Sequence, residues 1–127
     1  MAGERILLVE DNVMNRRLAQ FLLKSEGYIV YEAANGHEAL ELVKAHVPDL
    51  ILMDLQLPEL DGFTTTRILK QDATTRDIPV VALTAYAMKG DAERASEAGC
   101  DGYITKPIDK KDFLERVASY LRRREQK

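Results

Sequence analysis

The chain has little of several things. Among its 127 residues there is one cysteine, no tryptophan and four prolines. A single cysteine, Cys100, excludes an internal disulfide framework and a cysteine-based zinc site, and it fits a reducing, cytoplasmic setting. Long apolar runs are missing. Stretches such as Ile6 to Val9 and Leu50 to Met53 are four residues long, whereas a membrane-spanning helix needs ~20. The charged pair Glu4 and Arg5 precedes any apolar run, so a secretory signal peptide is not expected. Neither sign of charge dominates: 18 basic residues face 21 acidic ones, a formal net charge of −3. That balance calls for neither nucleic acid nor membrane as partner. No GxxxxGK loop is present, so P-loop nucleotide binding has no support.

What is there is a single ordinary domain. At ~150 residues per domain there is no room for a second, and the apolar share of 46% and charged share of 31% are those of a globular chain. Short β-rich runs alternate with amphipathic stretches of helical length. The expected strands are Ile6 to Val9, Tyr28 to Ala33, Leu50 to Met53, Val80 to Thr84 and Gly102 to Thr105. The first, third and fourth are nearly all apolar, without period-two alternation, as suits central strands of a parallel sheet covered on both faces. The second mixes Tyr28, Val30 and Glu32 with apolar residues and reads as an edge. Between them the 3.6 period predicts helices. Met14, Leu18, Phe21 and Leu22 form one stripe, ended by Gly27. Leu40, Val43 and Val47 form the next, before Pro48. Asp61 is placed to cap a third helix carrying Phe63, Ile68 and Leu69. Phe113, Val117, Tyr120 and Leu121 line the last. The fourth, Asp91 to Ala98, offers only Ala92, Ala95 and Ala98. Alanines bury little area, so this helix should be the most loosely held. Five βα units in series imply a doubly wound α/β fold, a five-stranded parallel sheet of order 2-1-3-4-5 with five helices. Ligands of such folds bind beyond the carboxyl ends of the strands.

The residues just past those ends share one chemistry. Glu10, Asp11 and Asn12 follow the first strand, Asp54 the third, Thr84 ends the fourth, and Lys106 and Pro107 follow the fifth. Three carboxylates brought together repel, and a divalent cation resolves the repulsion. All-oxygen ligands favour magnesium, manganese or calcium over zinc. An open, partly hydrated carboxylate site that also takes phosphate suits magnesium. A lysine, a hydroxyl and the metal then offer three donors to the three equatorial oxygens of a phosphoryl group. No cysteine stands in a phosphatase-like loop, so the central nucleophile must be a carboxylate, and Asp54 ends the middle strand. Singly, each residue has a plainer use. An aspartate after a strand is more often a turn residue, Asp11 or Asn12 can cap the first helix, a lone Lys106 is usually solvated, and Thr84 can satisfy a backbone group. Their convergence at one end of four strands outweighs those uses.

The segments LLVEDN (7–12), DLILMDLQLPELDGF (49–63), VVALTA (80–85) and MKGDAERASEAGCDGYITKP (88–107), in this order, resemble the receiver domain of bacterial response regulators. The resemblance runs from about residue 5 to 121, leaving a short basic tail at 122–127. It is closest in kind to stand-alone, DivK-like or chemotaxis-type regulators, and the segments VEDNVMNRR and ALTAYAMKGD also resemble receivers of hybrid histidine kinases. It implies that Asp54 accepts a phosphoryl group from a phosphohistidine. Glu10 and Asp11 resemble the acidic pair that holds Mg2+ with Asp54, and Gln56 the residue that adds its backbone carbonyl. Thr84 resembles the switch hydroxyl, Lys106 the lysine that pairs with the phosphoryl group, and Tyr103 the aromatic switch that turns inward. The Lys106–Pro107 bond is expected to be cis. Gln56 and Tyr86 should tune the phosphoryl lifetime. A glutamate at the first acidic position is within the family's range.

The same resemblance implies the partners: a histidine kinase or histidine phosphotransfer protein as donor, and a downstream protein target. The expected protein is cytoplasmic, a monomer or weak dimer, with no nucleic-acid or membrane contact and no turnover beyond its own phosphorylation and slow dephosphorylation. Signalling is expected through the face of the fourth helix, fifth strand and fifth helix. Two other readings are weaker. A Mg2+-dependent aspartyl-phosphate phosphatase or mutase usually carries a second aspartate two after the nucleophile, where this chain has Gln56. A pseudo-receiver would have lost a member of the site. Other features read blandly: Arg122, Arg123 and Arg124 as cations at a helix end, His37 and His46 as too far apart to share a metal, Cys100 as packing, and Tyr86 and Met88 as loop or partner contacts.

Overall fold

The computed structural model describes residues 3–55, 57, 59–84 and 89–125. Strands and helices alternate strictly: β1 (Arg5–Val9), α1 (Val13–Ser25), β2 (Ile29–Ala33), α2 (Gly36–His46), β3 (Leu50–Asp54), α3 (Gly62–Gln71), β4 (Val80–Thr84), α4 (Lys89–Ala98), β5 (Gly102–Thr105) and α5 (Lys110–Glu125). The strands pair in parallel in the order β2-β1-β3-β4-β5. The apolar strands β1, β3 and β4 are central and the mixed β2 is an edge, as their composition predicts.

Each central strand feeds two cores. Ile6 and Leu8 of β1, Leu50 and Leu52 of β3, and Val81 and Leu83 of β4 pack with α1 and α5. Leu7, Val9, Ile51, Met53 and Val80 face the other way, against Ala39 and Val43 of α2 and Leu69 of α3. Local chemistry fixes the helix ends. The side chain of Asn12 accepts from the Asn15 N–H at 2.9 Å, that of Asn35 from the Glu38 N–H at 2.9 Å, and that of Asp61 from the Thr64 N–H at 2.8 Å. At the end of α1, Gly27 adopts φ +88°. Its N–H reaches Lys24 O at 3.0 Å and the Tyr28 N–H reaches Leu23 O at 3.3 Å, the paired bonds of a Schellman stop.

The helix stripes need correction at three places. On α1 the inward residues are Ala19, Leu22 and Leu23, whereas Met14, Leu18 and Phe21 are 74%, 45% and 67% exposed. Of the expected stripe Leu22 alone faces the sheet, joined by Ala19 and Leu23 from the neighbouring arc. Val47 does not continue the α2 stripe. It is the left-handed C-cap residue, φ 39°, and is exposed. Ile68 is exposed on α3 while Phe63 and Leu69 are buried. The stripe of α5 holds: Phe113, Val117 and Leu121 are buried and Tyr120 partly so. On α4, Ala95 and Ala98 are buried with Leu55, Phe63 and Ala82, and the side chain of Ala92 lies outside the described set.

Candidate functional site

The parallel sheet brings its carboxyl ends to one rim. There a cleft of about 380 Å³ is lined by Glu10, Asp11 and Asn15 at the β1–α1 junction, Asp54 and Leu55 at the end of β3, Leu83 and Thr84 on β4, Phe63, Arg94 and Lys106. Carboxylate oxygens of Glu10, Asp11 and Asp54 lie within 4.8 Å of one another, the one such acidic cluster among the described residues. Glu10 is 1% and Asp54 5% exposed, while Asp11 opens to solvent. Burial makes the mutual repulsion expensive, because the local dielectric is lower than water's.

Lys106 offsets part of that charge. Its ammonium lies 2.9 and 3.0 Å from the two Glu10 oxygens and 3.3 Å from Asp54 Oδ2. The main chain sets it there: the Lys106 N–H donates to Thr84 O at 2.7 Å, and the following bond to Pro107 is cis. Thr84 itself is buried at the end of β4. Lys106 and Arg94 against three carboxylates still leave the cleft net negative. All its anionic donors are hard oxygens, so the residues fit a divalent cation of the magnesium type.

Three supports were not apparent from the sequence. Arg16 on α1 donates from Nη1 to Glu10 O at 2.9 Å, and its Nε lies 3.5 Å from Glu32 on β2. It braces the backbone that presents Glu10 and Asp11. Gly62 lets α3 press against the end of β3, for a Cβ there would run into the carbonyl oxygen of Asp54. On the far wall the guanidinium carbon of Arg94 stands 4.2 Å from the centre of the Phe63 ring. None of these pairings has a spacing signal, because each partner arrives from a different element.

Other expectations sort cleanly. Asn12 caps α1 and also lines the cleft. Tyr103 is 42% exposed on β5 and does not line the cleft. Gln56, Tyr86 and Met88 lie outside the described residues, as do the side chains of Arg123 and Arg124. His46 stacks on Tyr31, with ring centres 4.1 Å apart, and neither histidine joins an acidic cluster. Burial pushes the Cys100 thiol up from its usual pKa, consistent with a packing role. Among the described residues no helix is long and apolar enough to cross a membrane.

Comparison with known proteins agrees with this geometry. The model of the "Response regulator receiver domain" family matches residues 6–118. The chain is 50% identical over 116 residues to the polar-differentiation response regulator DivK of Brucella anthropi, covering 91% of this chain and 94% of that one. DivK of Brucella ovis is 49% identical over the same shares. Among solved structures, the receiver domain of a sensor histidine kinase from Pseudomonas aeruginosa, with magnesium coordinated in its active-site cleft, superposes with a TM-score of 0.88 at 38% identity, covering 94% of this chain and 98% of that one. A CheY-like receiver domain protein from Methanospirillum hungatei gives 0.90 at 28% identity, with 98% of each chain covered. The family model spans most of the sequence and the relatives match at about half identity, so the chain belongs to the receiver domain family of two-component response regulators, a family of signalling proteins rather than classical enzymes.

Proposed function

We propose that the protein is a single receiver domain whose Asp54 takes a phosphoryl group from a phosphohistidine donor and which signals by protein contact. The observation that carries this is the placement of Asp54, buried at the end of the middle strand, 3.3 Å from Lys106 and within 4.8 Å of Glu10 and Asp11. In the reaction a carboxylate oxygen of Asp54 forms a bond to phosphorus as the phosphorus–nitrogen bond of phosphohistidine breaks, and the imidazole leaves with the electron pair. Glu10, Asp11 and Asp54 would hold Mg2+, with the Gln56 carbonyl as a further ligand. When bound, the metal neutralises charge that builds on the phosphoryl oxygens. Lys106 pairs with one oxygen, and the Thr84 hydroxyl donates to another.

The donor is a histidine kinase or a phosphotransfer protein. It approaches over α1, whose exposed Met14, Leu18 and Phe21 continue outward from the cleft-lining Asn15. The output is a shift of α4, β5 and α5. Phosphorylated Asp54 carries about two negative charges beside Thr84, one more than the free carboxylate. Inward movement of Thr84 leaves room for Tyr103, which starts from an exposed position, and α4, held by alanines, follows.

Acetyl phosphate with Mg2+ tests the chemistry. Intact-mass spectrometry should find one added phosphoryl group, dependent on Mg2+ and absent from Asp54→Asn. Amide exchange in α4, and not in α1, should then change with beryllofluoride. A protein that takes no adduct from acetyl phosphate and ignores beryllofluoride would be a pseudo-receiver instead.

A further inference from the structure

The cleft has a second cation that the reaction above does not use. Arg94 rises from α4 and lines the same cleft as Asp54 and Lys106. Its guanidinium carbon stands 4.2 Å from the centre of the Phe63 ring. That ring belongs to α3 and is itself packed with Leu55, Ala82, Ala95 and Ala98. The stack therefore stitches α4 to α3 at the mouth of the cleft. Elsewhere along this contact the described side chains of α4 in the cluster are Ala95 and Ala98.

We propose that Arg94 is a phosphoryl-contacting residue: when Asp54 is phosphorylated, its guanidinium leaves the Phe63 ring and pairs with the phosphoryl oxygens. The inference rests on the reading of Asp54 as phosphoacceptor. Charge is the reason. Lys106 already divides its ammonium between Glu10 and Asp54, and phosphorylation replaces the single charge of the Asp54 carboxylate by the roughly two charges of a phosphoryl group on the same floor. A guanidinium is the side chain best matched to two oxygens of one phosphoryl group, through parallel N–H donors. A cation on an aromatic face near solvent is held more weakly than that. The exchange moves the one stitch seen between Arg94 and α3, so the modification acts on α4 directly as well as through Thr84. Among the described side chains of α4 the other buried contacts there are two alanines, so the stitch is a large share of what they hold.

Three variants separate this from a purely structural stitch: Arg94→Gln, Arg94→Lys and Phe63→Leu. Beryllofluoride with Mg2+ serves as the phosphoryl mimic, and its dissociation constant is measured by titration of amide NMR signals. A phosphoryl contact predicts that Arg94→Gln weakens beryllofluoride binding at least about tenfold, through loss of the charge-assisted pairing. Arg94→Lys keeps the cation and should lose less. Phe63→Leu should tighten binding, since Arg94 no longer has a ring to leave. The Arg94 Nε–H signal should also shift on beryllofluoride addition in the unmodified protein. A structural stitch predicts the opposite pattern, with Arg94→Gln and Phe63→Leu lowering stability alike and beryllofluoride affinity near that of the parent. That pattern overturns the proposal while leaving Asp54 as phosphoacceptor. An unmodified protein that binds no beryllofluoride overturns both. Arg94 is exposed, so its variants should fold, and circular dichroism checks that they do.

Discussion

Helices α1 and α4 border the same cleft, yet they meet the sheet through different residues. Helix α1 puts Leu22 and Leu23 into the larger core beside β1 and β3, and Asn12 caps its start. It still leaves Val13, Met14, Leu18 and Phe21 in solvent. Helix α4 buries Ala95 and Ala98 and adds Arg94 on the Phe63 ring. One helix is firmly seated and carries spare apolar surface. The other is lightly seated and carries spare charge toward the cleft. Firm seating suits a surface that must present a fixed shape to a partner. Light seating suits an element whose position a charge change can bias, because little packing has to be undone. The fold thus seats two helices differently on opposite sides of one acidic rim.

The largest effects should come from attacking the seating itself. Leu23 is fully buried, and Leu23→Ala should cost ~2–5 kcal/mol in urea unfolding through lost transfer energy and a cavity. Ala95→Gly on α4 has no comparable side chain to remove and should cost about 1 kcal/mol, mostly backbone entropy. Equal losses at the two positions would erase the distinction between the helices.

The next effect lies on the floor between them. Asp54→Asn removes one of three clustered carboxylates while Lys106 keeps its bonds to Glu10. Repulsion at ~5 Å and an effective dielectric near 20 amounts to a few kcal/mol, and the lost contact with Lys106 offsets part of it. The metal-free variant should therefore be more stable than its parent by ~1–2 kcal/mol. Added Mg2+ should reverse the order. A ligand at 100 times its dissociation constant stabilises by about 2.7 kcal/mol, and the variant has one carboxylate fewer to offer. A variant less stable without Mg2+ would mean that Lys106 outweighs the repulsion, and that the rim is neutral rather than strained.

Much of this was legible in the sequence, and the failures have a common cause. Strand order followed from which strands were wholly apolar, since only burial on both faces tolerates Leu50 to Met53 or Val80 to Leu83. The rim followed from topology, because parallel strands deliver the residues after them to one edge, and Glu10, Asp11, Asp54, Thr84 and Lys106 all line the cleft. What failed was the facing of α1. Leu22 of the expected stripe is buried, but Met14, Leu18 and Phe21 keep helical spacing with it as well as Ala19 and Leu23 do, and periodicity cannot say which side of Leu22 meets the sheet. Arg16 and Arg94 escaped for a related reason. Their partners, Glu10 O and Glu32 for one and Phe63 for the other, are tertiary neighbours. A charged residue on an amphipathic helix carries no mark of the element it will touch.

The misassigned stripe yields the smallest stability effect and the sharpest functional one. Phe21 is 67% exposed and Met14 74%, so Phe21→Ala and Met14→Ala should change unfolding free energy by no more than about 0.5 kcal/mol, as surface substitutions usually do. If α1 is the donor's landing surface, the same variants should slow phosphotransfer from a phosphohistidine protein by tenfold or more, the effect of losing an apolar anchor at the centre of an interface. Phosphorylation by acetyl phosphate should not change, because a small donor needs only the cleft and touches neither side chain. The two donors form an internal control. Slowing with both would point to a disturbed acidic rim, transmitted through Asn12 and Asn15 at the start of the helix. Slowing with neither would leave the stripe without a role in donor recognition and move the search for the docking surface to the α4 side. Slowing with the protein donor alone would assign recognition to the firmly seated helix.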